Sequence, residues 1–130
     1  MIKYFVAPDI KKLVDDIVDV LDFSHVDSRF VHCFRSTGSK SRYVIARIHG
    51  LGKIWQKTLQ ISPVYIIEVI SERYDKLSEN QKEKILIHEL LHIPKGFSGG
   101  FLHHKGHINQ RIIDRLHCEI KKNRLNRKYR

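Results

Sequence analysis

Residues 78–94, SENQKEKILIHELLHIP, are the stretch of this chain with the least conformational choice. Ser78 is a natural N-cap. Gln81 three positions later completes a capping box, in which each side chain satisfies the other residue's free backbone N–H at the start of a helix. Ile85, Leu86, Leu90 and Ile93 supply apolar contacts along it. Pro94 cannot continue the hydrogen-bond ladder, so the helix stops at or just before it.

Within this helix stand His88-Glu89-Leu90-Leu91-His92, an HExxH motif. A four-residue step is about one helical turn, so the two imidazoles share a face and can converge on a single ion. Zinc suits neutral imidazole, and a catalytic site takes three protein ligands and leaves a fourth position to water. Bound water has its pKa lowered to about 7, which generates hydroxide at neutrality. Glu89 follows the first ligand, lies beside the metal without binding it, and can take the water's proton as general base and later protonate a leaving amine. These residues point to zinc-dependent hydrolysis of peptide bonds, the chemistry most often associated with HExxH and a glutamate base.

The third ligand lies downstream, among His103, His104, His107 and His117, with Asp114 and Glu119 as the only carboxylates. A metzincin would need its next ligand at position 98, which is Ser98, and a Met-turn, for which there is no methionine besides Met1. That subclass is excluded. Gly96, Gly99 and Gly100 give the backbone freedom to reverse after Pro94 and bring His103 or His104 toward the helix. Successive side chains of an extended segment point to opposite sides, so one of that pair should face the metal.

Around the motif, the rest of the chain reads as a small α+β domain. Ile10, Leu13, Val14, Ile17 and Leu21 recur at helical spacing from Asp9 to about Leu21, with Asp15, Asp16, Asp19 and Asp22 on an outer, solvated face. Residues 29–35 and 42–48 are rich in aromatic and β-branched types and flank the turn-forming STGSKS, which predicts a β-hairpin. KIWQKTLQ fits either a helix or a strand, and 64–70, VYIIEVI, a further strand. A last helix is predicted from about His107 to Lys122. His49, Tyr65 and Tyr74 are candidates for steadying an oxyanion, each with a structural role as the plainer reading. Trp55 is read as a packing residue, and His25 and His32 have no companions at ligand spacing.

With 130 residues the chain suits one domain, 1–130, closing in a basic tail over about 121–130. No run approaches the roughly 20 apolar residues of a membrane span, and the first residues lack a signal peptide's apolar region. A cytoplasmic protein is expected, with Cys33 and Cys118 as reduced, partly buried thiols. The formal charge is +10, and after His92 the chain carries ten basic residues against Asp114 and Glu119. Such an end could meet nucleic acid.

PVYIIEVISERYDKLSENQKEKILIHELLHIPKGFSGGFLHH, with ARIHGLGKIWQ before it, resembles the small HExxH metallopeptidase family predicted in archaeal and phage genomes. The likeness spans about residues 42–107, and HELLHIP is its most specific part. It implies a minimal zincin-like α+β fold, with a small β-sheet packed against an N-terminal helix, the HExxH helix and a C-terminal helix. It also implies that His104 joins His88 and His92 as metal ligand, with a peptide or protein as substrate. The rival expectation is a nucleic-acid-associated protein with a structural or vestigial metal site, binding through its basic C-terminus.

Overall fold

The apolar run at 64–70 organises the molecule, because a strand apolar on both faces is most stable in the middle of a sheet. The computed structural model describes residues 1–129. In chain order its elements are β1 (Lys3–Val6), α1 (Pro8–Val20), a 3₁₀ turn (Ser28–Phe30), β2 (Val31–Thr37), β3 (Ala46–Gly50), α2 (Lys53–Leu59), β4 (Tyr65–Ile70), α3 (Ser71–Tyr74), α4 (Glu79–Leu91) and α5 (Gln110–Lys128). The sheet has the order β1-β2-β4-β3. β4 runs parallel to β2 and antiparallel to β3, and β1 is antiparallel to β2. The fold is α+β with a small mixed sheet.

The predicted hairpin between β2 and β3 does not form, since β4 lies between the two strands. Their connection is held elsewhere. Glu72 accepts from the Gly38 N–H at 3.0 Å, and the Arg73 guanidinium donates to the Arg42 and Val44 carbonyls. The loop is therefore drawn toward α3, and β3 pairs with β4, the more apolar partner. The short strand β1, KYFV, is not read from the sequence, because four residues are too few to show a period, and all four are exposed.

One face of the sheet carries the core. Tyr65, Ile67 and Val69 of β4 and Val31 and Cys33 of β2 pack with Ile10, Val14 and Ile17 of α1, Leu86, Ile87 and Leu90 of α4, and Ile113 and Ile120 of α5. Pro8 opens α1 at the first helical position, where its missing N–H costs nothing. KIWQKT is helical, and the exposed Trp55 stands on α2. Cys33 is buried, whereas Cys118 is exposed rather than partly covered. No helix among the described residues is long and apolar enough to cross a membrane.

Most of the basic C-terminal segment is helical. Asn109 caps α5 by accepting from Ile112 N–H, and the helix continues through Lys128. Arg124 bonds Asp16 of α1 and Glu83 of α4, each at 2.5 Å, and Arg127 reaches Asp19 at 2.8 Å. Part of the acidic face of α1 is thus an interhelical contact and not simply solvated. Arg130 lies outside the described residues.

Both halves of the Ser78–Gln81 capping box are formed, at 3.0 and 3.2 Å. Ser78→Ala should cost about 1 kcal/mol, the usual worth of a lost N-cap. Denaturant unfolding of the two proteins checks this, and an unchanged midpoint would mean that the cap adds nothing to α4.

Candidate metal centre

α4 delivers the first part of the site. His88 and His92 lie one turn apart, with ring centroids 5.3 Å from each other. His92 is the C-cap of the helix, so its carbonyl has no intrahelical partner and is free to accept from elsewhere. The Leu102 N–H takes that position at 2.8 Å, and the Leu102 carbonyl lies 2.8 Å from His92 Nδ1. A carbonyl only accepts, so Nδ1 carries the proton and Nε2 keeps its lone pair.

The chain reaches Leu102 by reversing after Pro94. Phe97 N–H bonds Pro94 C=O, and positive φ values at Phe97 (46°) and Gly99 (95°) complete the bend. A side chain at Gly99 would meet the Leu51 carbonyl at 2.2 Å, so glycine is required there by conformation and by space. Two residues beyond Leu102, His104 sets its Nε2 3.0 Å from His88 Nε2. One ring nitrogen from each of His88, His92 and His104 lies within 4.8 Å of the other two. Three imidazoles with no charged neighbour among them suit a borderline-soft divalent ion such as zinc.

The remaining candidates stand elsewhere. His103 lines the same cleft without joining the cluster, and His107 is exposed. His117 is buried and bonded to Glu83 at 3.0 Å. Asp114 pairs with Lys84 at 2.9 Å, and Glu119 is exposed on α5. None of the three residues considered for an oxyanion reaches the cluster. His49 pairs with Glu68 at 2.9 Å, Tyr65 bonds the loop at Gly99 and Gly100, and Tyr74 is buried beside α1.

Glu89 is buried and lines the same cleft as the imidazoles, and burial pushes its carboxyl up to about 7. Burial, reinforced by His92 and His104, holds the His88 imidazole below its usual range. Both shifts favour neutral groups. The cleft over these residues has a volume of about 550 Å³. Its walls are Val44, Ala46, Arg47 and Ile48 on one side and Phe101 to His104 on the other. Of these wall residues sequence reading singled out only His103 and His104, because an apolar residue on an edge strand or in a loop carries no distinguishing pattern.

β3, the wall strand, is an edge of the sheet. Ile45 C=O accepts from Ile70 N–H and Val64 C=O from Leu51 N–H, which fixes the alternation between them. Odd-numbered residues from 45 to 51 therefore bond β4, while the N–H and C=O groups of Ala46 and Ile48 face the open edge.

A model of the family described as "putative phage metallopeptidase" matches residues 2–124. The chain belongs to that family. The likeness read from HELLHIP thus extends over nearly the whole chain, and HExxH, the clustered histidines and the edge-strand cleft belong to a phage metallopeptidase family member. No curated protein and no solved structure matches it.

β3 is also tied down on its far face, where Ser36, His49 and Arg47 surround the buried Glu68. Burial raises this carboxyl's pKa, but the Ser36 and His49 hydrogen bonds and the Arg47 charge outweigh it and leave it lowered. A lowered folded pKa gives stability that is present above the unfolded value near 4.5 and is lost as pH falls through the folded one. Glu68→Gln should therefore flatten the acid limb of a stability-against-pH curve. An unchanged slope below the ordinary glutamate range would contradict the assignment.

Proposed function

We propose that this chain is a zinc-dependent peptidase in which His88, His92 and His104 hold the metal and Glu89 is the general base. The observation that carries the reading is the meeting of three imidazole nitrogens from two separate segments, within 4.8 Å, beside a buried glutamate. Two of the imidazoles come from HExxH, and membership of a family described as metallopeptidases supports peptide hydrolysis. We read the sheet, the HExxH helix and the returning loop as parts of one zincin-like domain.

When bound, zinc supplies a Lewis acid and lowers the pKa of its water to about 7. The chain's own groups do the rest. Glu89, one residue along the helix from His88, takes the proton of the attacking water on its carboxylate and returns it to the nitrogen of the leaving amine. His92 is held in one tautomer by Leu102, which leaves its Nε2 lone pair directed to the metal. The free N–H and C=O groups of Ala46 and Ile48 suit an extended peptide adding as a further antiparallel strand, which would lay its scissile carbonyl along the cleft. A protein acting through a basic C-terminus on nucleic acid draws no support from the fold, since Arg124 and Arg127 are engaged by Asp16, Glu83 and Asp19.

Protein purified without added metal should carry one zinc per chain. His88→Ala and His104→Ala should lose it on dialysis, and His103→Ala and His107→Ala should keep it. Elemental analysis decides, and equal zinc in the parent and His104→Ala would remove His104 from the ligand set. Glu89→Gln should retain the metal and lower peptide hydrolysis on the order of 10²–10⁴-fold, the usual worth of a positioned base. Hydrolysis at the parental rate in that variant would refute the role of Glu89.

A further inference from the structure

We infer that Tyr65 is a positioning residue for the metal centre, because its hydroxyl clamps the loop whose far end brings His104 onto His88 and His92. The inference rests on the reading of His104 as a metal ligand. Tyr65 opens β4, and its ring is fully buried between two loop aromatics, 5.0 Å from Phe97 and 5.9 Å, edge-on, from Phe101. The hydroxyl accepts from Gly99 N–H and donates to Gly100 C=O, both at 2.8 Å. One side chain thus grips the backbone of two consecutive residues at the turning point of the loop.

The same turn is fixed from a second direction. Gln56 Nε2 donates to Leu51 C=O at 2.7 Å and to Ser98 C=O at 2.8 Å. Gly99 lies so close to Leu51 that no side chain fits between them. Past the clamp, the loop is anchored again at Leu102, and only His103 separates that anchor from His104. Metal–ligand distances tolerate roughly 0.2 Å of error, so a loop released at Gly99 and Gly100 can no longer deliver the third nitrogen as reliably. The Tyr65 hydroxyl is engaged by the loop and acts on the centre through that loop, chiefly at His104 and secondarily at His92 by way of Leu102.

Tyr65→Phe keeps the ring between Phe97 and Phe101 and deletes both hydrogen bonds. Zinc affinity, measured by competition with a chelator, should fall about 10–100-fold, as for other residues that orient ligands. In a His104→Ala background the same substitution should cost several-fold less affinity, because the residue it chiefly positions is gone and only the path through Leu102 to His92 is left. Cobalt-loaded Tyr65→Phe should also show a shifted d–d absorption spectrum. Parental affinity in Tyr65→Phe, an equal loss with and without His104, or loss of the fold by circular dichroism would each overturn the positioning role. Parental affinity in His104→Ala would overturn the ligand reading, and this inference with it. An unaffected Tyr65→Phe in a chain that needs His104 would overturn this inference alone.

Discussion

Two hydrogen bonds between residues 92 and 102 join the halves of the histidine cluster. The carbonyl of His92, left free by the end of α4, accepts from Leu102 N–H, and the Leu102 carbonyl accepts from His92 Nδ1–H. The first bond turns an unsatisfied helix end into the anchor of a returning strand-like segment. The second orients the imidazole and selects its tautomer. Loop return and imidazole orientation are consequently one structural event, and neither arises from HExxH alone. The bend at Pro94 and the close approach at Gly99 make the exchange geometrically available.

α4 can serve as a platform because it is fixed along its length by contacts of different kinds. Leu86, Ile87 and Leu90 are fully buried in the core. Glu83, one turn and a half before His88, is buried with His117 and Arg124 as partners, which ties α4 to α5 and, through Asp16, to α1. Leaving one member of such a buried set without its partner costs more than the set contributes when intact, so it favours one arrangement of the three helices. On the other side of the cleft, the Glu68 cluster fixes β3 against β4. The cleft therefore lies between elements each held by several contacts, with the loop that carries His104 anchored at Leu102.

Much of this was legible in the sequence where the signal is local. The capping box and Pro94 mark both ends of α4, and the helical step places His88 and His92 on one face. Helical spacing likewise locates the buried stripe of α1, Ile10, Val14 and Ile17. Long-range pairing was not legible. STGSKS reads as a hairpin turn, yet β4, more than twenty residues away in sequence, takes the place between β2 and β3. The acidic residues of α1 read as a solvated face because their cations, Arg124 and Arg127, lie at the far end of the chain. Nor does a lone tyrosine before an apolar strand announce that its hydroxyl reaches a glycine turn thirty-four residues on. Composition and periodicity report what a residue prefers, whereas these contacts depend on which element the fold brings opposite.

X-ray absorption at the zinc edge of the purified protein tests the central claim most directly, since it reads the ligand set without reference to activity. Three imidazoles and one further oxygen ligand at about 2.0–2.1 Å are predicted, with one imidazole contribution lost in His104→Ala. A sulfur scatterer near 2.3 Å, or a spectrum unchanged by His104→Ala, would contradict the account.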